Sequence, residues 1–94
     1  MKAYWVVRAR ITDPEEYAIY RELAGSVVAA FNGIFLSRGG KQEEVEGSGY
    51  QRTVVVEFNS YEEATSCYYS NDYQTALVHT KNSSERLFSI VEGV

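Results

Sequence analysis

Residues 13–33, DPEEYAIYRELAGSVVAAFNG, decide how this chain folds. Asp13 is an N-cap residue type, and Pro14 suits the first helical position because its φ is fixed and its N–H is missing. Glu16, three residues after Asp13, completes a capping box. Tyr17, Tyr20, Ala24, Val27 and Phe31 then recur at spacings of three and four, the apolar stripe of an amphipathic helix. Gly33, after Asn32, is expected to supply the left-handed residue that stops it.

Both flanks of this helix read as strands. Upstream, Ala3–Ile11 alternates, with Trp5, Val7, Ala9 and Ile11 on one face and Tyr4, Val6, Arg8 and Arg10 on the other. The second face is mixed rather than plainly polar, which predicts a cover over part of it. Downstream, Ile34–Arg38 is a second strand, and Gly39-Gly40 marks a bulge or bend, or a place where another group approaches the backbone. The extended segment is expected to resume over Gln42–Glu46 as a solvated edge carrying Glu43, Glu44 and Glu46, before a turn at Gly47-Ser48-Gly49.

Arg52–Phe58 forms the third strand, with Val54, Val56 and Phe58 on one face and Thr53, Val55 and Glu57 on the other. Ser60 and Glu63 make a second capping box ahead of Tyr61, Ala64 and Tyr68. Ser70-Asn71-Asp72 interrupts that helix and caps a shorter one carrying Tyr73, Ala76 and Leu77. A loop at Asn82-Ser83-Ser84 leads to a last strand, Arg86–Val91.

The order is β-α-β-β-α-β with its second helix broken, one α+β domain over residues 1–94. Two helical layers then cover one face of a four-stranded antiparallel sheet, and the other face has no helix of its own. Tyr4, Val6 and Val55 fall there, so a second copy of the chain is the expected cover.

Composition narrows the function. Apolar residues at 45% and charged residues at 23% exclude a disordered chain. No apolar run approaches the roughly 20 residues that span a bilayer. A net charge of −4 argues against nucleic acid, whose phosphates need a basic surface. Met1-Lys2 runs straight into a strand, so no signal peptide is expected, and the lone Cys67 fits a reducing compartment, the cytoplasm. Eight tyrosines, four phenylalanines and one tryptophan are a heavy load for so small a chain: either they fill the core, or they point to a partner surface or a ligand cavity.

One histidine and one cysteine do not make a zinc site, so no metal is expected. No Gly-x-Gly-x-x-Gly pattern is present, and no cofactor is expected. His79 near a helix end and Cys67 on a tyrosine-flanked helical face read as structural. Glu15-Glu16 and Glu62-Glu63 sit in first helical turns, where opposing the helix dipole accounts for them. The candidate ligand site is Arg8, Arg38 and Glu57, with Tyr68, Tyr69 and Tyr73 closing its rim. Strand parity puts Arg8 and Glu57 on the helix-free side of neighbouring strands, where they are expected to pair. Such a pair serves either the structure or a ligand, an arginine gripping a carboxylate at two points.

Several short stretches resemble a known family. They are Ala3-Tyr4-Trp5, Asp13-Pro14-Glu15 with Tyr17 and Tyr20, and Phe35-Leu36-Ser37-Arg38-Gly39-Gly40. Val55-Val56-Glu57-Phe58, Ala64 to Tyr69, Tyr73-Gln74 and Val91-Glu92-Gly93 continue the series. Together the chain resembles domain-of-unknown-function family 1330, of the dimeric α/β-barrel superfamily. The resemblance implies a ferredoxin-like fold whose sheets pair into a barrel as a homodimer, with no assigned activity. Two departures stand out: Tyr68 where the family often has tryptophan, and Thr80-Lys81 where it often has arginine.

Two functions remain open. One is a dimeric protein binding a small anionic or aromatic molecule in a barrel cavity. The other, by superfamily analogy, is a cofactor-independent monooxygenase or isomerase acting on a small aromatic or lactone-like acid.

Overall fold

Every second residue of Ala3–Ile11 is buried from Ala3 to Ala9, the period of a strand with one face on a core. This strand, β1, lies inside a four-stranded antiparallel sheet in a computed structural model that describes all residues 1–94. The elements follow as α1 (Pro14–Ala30), β2 (Ile34–Arg38), β3 (Arg52–Phe58), α2 (Tyr61–Tyr69), α3 (Asn71–Leu77) and β4 (Ser84–Glu92). A single 3-10 turn, Val78–Thr80, joins α3 to β4. Sheet order is β2-β3-β1-β4, the ferredoxin-like arrangement.

The core lies between the helices and one sheet face. Trp5 is its centre: its ring stands 4.9 Å from Tyr73, 5.0 Å from Phe58 and 5.1 Å from Phe88, centroid to centroid. Its indole N–H donates to the Ala64 carbonyl at 2.9 Å, which ties α2 to β1. A buried aromatic so placed is worth about 3–5 kcal/mol against alanine.

The caps form by halves. Asp13 accepts from the Glu16 N–H at 3.3 Å, and Ser60 from the Glu63 N–H at 3.1 Å. The Glu16 carboxylate does not reach back to Asp13, however. It pairs with His79 and so clamps the start of α1 to the turn after α3. Ser70 accepts from the Tyr73 N–H at 3.2 Å and thereby starts α3 where α2 ends.

Three expectations change. The left-handed residue after α1 is Asn32, with φ 61°, and not Gly33. Gly33 is needed for space instead, since a Cβ there would stand 2.6 Å from Val28 and 2.9 Å from Phe58. The bulge falls within β2 between Phe35 and Ser37, ahead of the glycine pair. Gln42–Glu46 is not a strand, because its polar groups turn inward to their own loop. Gln42 donates to the Tyr50 carbonyl at 2.9 Å, and the Tyr50 N–H donates to Glu44 at 3.2 Å.

A candidate anion-binding cleft

On the helix-covered face, Arg52 of β3 and Arg86 of β4 are both register partners of Ala9 on β1. Two arginines therefore flank one alanine, their Cα atoms two strand spacings or roughly 10 Å apart. The next row along holds Arg38, Val54, Val7 and Phe88. Arg38 reaches this face because the bulge consumes one extra residue and so reverses the parity of β2.

Helix α1 crosses above these rows and contributes Tyr17, Tyr20, Arg21 and Ala24. A partly open cavity of about 30 Å³ remains beneath it, with Trp5, Val7 and Val56 in its floor. That is space for one or two water-sized groups. A wider recess of about 470 Å³ shares Arg21, Arg38 and Arg52 with the cavity and adds Ala18 and Glu22.

The cleft holds more hydrogen-bond donors than acceptors. Arg86 donates to the Tyr20 hydroxyl at 2.9 Å, and the Tyr20 and Tyr73 hydroxyls lie 2.6 Å apart. Two phenols carry two protons but share one hydrogen bond, which leaves one proton without an acceptor in this network. The Nε of Arg86 and the Nε of Arg52 are also buried and unbonded. No carboxylate offsets them: the ion pairs of the chain are Arg8–Glu44, Arg10–Glu85 and His79–Glu16.

Burial pushes both hydroxyls above the ordinary phenol range, with Arg86 partly opposing this, so they are neutral donors at pH 7. Burial lowers the Arg52 guanidinium; Tyr17 opposes, and the charges of Arg21 and Arg38 lower it further. For Arg86 burial also lowers, but the oxygens of Tyr20, Tyr73 and Tyr17 outweigh it and the net direction is up. All these arginines remain cations.

Two glycines seat the guanidinium groups. A Cβ on Gly25, in the middle of α1, would stand 2.9 Å from Arg38 Nη2. Gly39 has φ +71°, and a Cβ there would stand 2.1 Å from Arg52 Nη1. Arg38 is held on its other side by the Phe35 ring, 4.1 Å from its guanidinium carbon.

The six residues expected to form the site are not brought together. Arg8 and Glu57 do lie on the open face, but Arg8 is in register with Thr53 and Glu57 with Tyr4. Four residues of strand, roughly 13 Å, separate them. Arg8 pairs with Glu44 at 3.3 Å instead. Arg38 is on the opposite face of the sheet from both. Tyr68 and Tyr69 border a shallow groove with Tyr61, Phe88 and Ile90. Tyr73 is fully buried and meets the cleft through Tyr20.

The pattern had shown more than it was asked. Arg86 shares strand parity with Phe88 and Ile90, and Arg52 with Val54, Val56 and Phe58. A charge at a core-parity position is the signal that finds both. Arg21 follows from lying one turn beyond Tyr17, and Tyr20 from the apolar stripe of the same helix. Cys67 is fully buried, and burial pushes its thiol up to about 12, so it is no nucleophile at neutral pH.

Fold and cleft define a ferredoxin-like α+β domain with an arginine–tyrosine cleft between its first helix and its sheet. Residues 2–94 match the family described as Domain of unknown function (DUF1330), and the chain belongs to that family. It is similar in structure to RPA0582, a protein of unknown function from Rhodopseudomonas palustris, at TM-score 0.81 and 14% identity. That match covers 99% of this chain and 82% of the other. A dimeric ferredoxin-like protein of unknown function from Thermobifida fusca superposes at TM-score 0.65 and 15% identity, covering 96% and 89%. SnoaB, a cofactor-independent oxygenase from Streptomyces nogalater, does so at 0.58 and 10%, covering 99% and 93%. A comparison with curated proteins finds no sequence match. No helix is long and apolar enough to cross a membrane.

Proposed function

We propose that the protein binds a small anionic molecule in the cleft under α1, and that it does so as a cytoplasmic homodimer. One observation carries the binding reading: the buried Nε groups of Arg52 and Arg86 and one phenol proton converge there unpaired, with no carboxylate to take them. Leaving such groups unpaired costs about 1–3 kcal/mol each, and an oxyanion satisfies several at once. Arg38 and Tyr73 keep the ligand role expected of them, Tyr73 by fixing Tyr20, and Arg21, Arg52 and Arg86 join them. Arg8 and Glu57 belong to the surface that meets the second copy.

The dimer reading rests on the open sheet face. Ile34, Leu87 and Val91 are about half exposed there beside Tyr4, Val6 and Val55. The Thermobifida fusca protein with the same fold is described as dimeric, which supports the same assembly here.

The second reading is a cofactor-independent monooxygenase or isomerase, supported by SnoaB having this fold. It ranks below binding because the cavity is lined by no Asp, Glu, His or Cys to take a proton. Thermal melts with benzoate, phosphate and citrate, each against chloride at equal ionic strength, test the binding reading. At least one should raise Tm, and Arg86→Met should weaken that anion tenfold or more. No shift with any anion refutes it, while turnover of an aromatic acid would promote the second reading.

A further inference from the structure

We infer that the ligand carries two anionic groups on a short hydrocarbon spacer, one seated in the inner cavity and the other in the outer recess. This rests on the anion-binding reading and adds the class of ligand to it.

Shape is the first argument. The partly open cavity of about 30 Å³ admits one functional group, whereas the shallow recess beside it, open to solvent, leaves the remainder of a small molecule unobstructed. Charge is the second. Four guanidinium groups, Arg21, Arg38, Arg52 and Arg86, face a single carboxylate, Glu22, across the two spaces. One carboxylate on the ligand leaves two of those cations unopposed, and the effect of Arg21 and Arg38 on Arg52 shows that they already repel. A second anionic group leaves only one unopposed and so reduces that repulsion.

Position separates the two seats. Arg86 lines the cavity but not the recess, and its Nε is buried and free, so it grips the inner group. Arg21, on the exposed side of α1, takes the outer one. Arg21, Arg38 and Arg52 line both spaces, and Arg38 and Arg52 bridge them. Val7, Val54 and Val56 form the apolar surface at the inner seat. A hydrocarbon spacer matches that surface, and a hydroxylated one would lose its hydration against it.

Titration calorimetry with succinate, glutarate and phthalate, against butyrate, valerate and benzoate, tests this at fixed ionic strength. At least one dicarboxylate should bind tenfold or more tighter than its monocarboxylate counterpart. Arg21→Met should cost the dicarboxylate at least tenfold more than the monocarboxylate, whereas Arg86→Met should weaken both alike. Glu22→Gln should tighten the dicarboxylate alone. Equal binding of both classes overturns the two-anion inference and leaves the anion site standing. Absence of binding by every acid, with the fold intact by circular dichroism, overturns both.

Discussion

Replacing Gly25 by alanine should make the free protein at least as stable and the anion site weaker. Gly25 stands in the interior of α1, where glycine costs about 1 kcal/mol relative to alanine. The added Cβ would stand 2.9 Å from Arg38 Nη2, and no other side chain than that of Arg38 lies within 4 Å. Arg38 is exposed, so its guanidinium moves aside at the expense of its stacking on Phe35, about 0.5–1 kcal/mol at such a site. The balance lies between neutral and about 0.5 kcal/mol stabilising, a Tm rise of zero to about 2–4 °C for a domain of this length. Losing one charge-assisted hydrogen bond to the ligand costs about 1.5–3 kcal/mol, so affinity should fall at least tenfold. Melts at one protein concentration, with and without the best anion, read both quantities. A Tm drop of more than about 2 °C would show that Arg38 is not free to yield. Unchanged anion affinity would refute the claim that Gly25 exists to seat Arg38.

Val55→Arg should convert the dimer to monomer or aggregate, because it places a charge in the middle of the open sheet face; sedimentation of wild type as a monodisperse monomer at micromolar concentration refutes the dimer. Stability should fall as pH rises above about 9. Cys67, Tyr20 and Tyr73 all hold their protons more tightly folded than unfolded, so the folded chain binds more protons above the unfolded values. Their contribution is complete below that pH and is lost upward, with Cys67 first, from 9.0 towards about 12. Urea midpoints at pH 7.5, 9 and 10 read the slope, and a flat profile refutes it.

The fold was legible where one residue type has one physical use. Pro14 after Asp13, Ser60 ahead of Glu63, and the alternation of Ala3–Ile11 each placed an element correctly. The sheet order followed from them, with β1 beside β3. The site was less legible, for two reasons. Arg38 changes face through a bulge that lies among Phe35, Leu36 and Ser37, none of which marks a bulge as glycine does. Glu44 takes Arg8 away from Glu57 across a loop whose path depends on tertiary contacts. Arg52 and Arg86 were visible as charges at core positions, but seeing them required reading the polar residues of each strand as closely as its apolar ones.

The bulge in β2 has a consequence for how this chain tolerates change. With the extra residue, Arg38 belongs to the cleft; without it, the same side chain would emerge on the face proposed to meet a second copy. A deletion at Leu36 would thus transfer a positive charge from the proposed ligand pocket into the proposed subunit contact, altering two properties in one step while every other residue stayed the same. Chain length at this point is a functional variable in its own right, and relatives that keep Arg38 but drop one residue before it would be expected to differ in both what they bind and how they assemble.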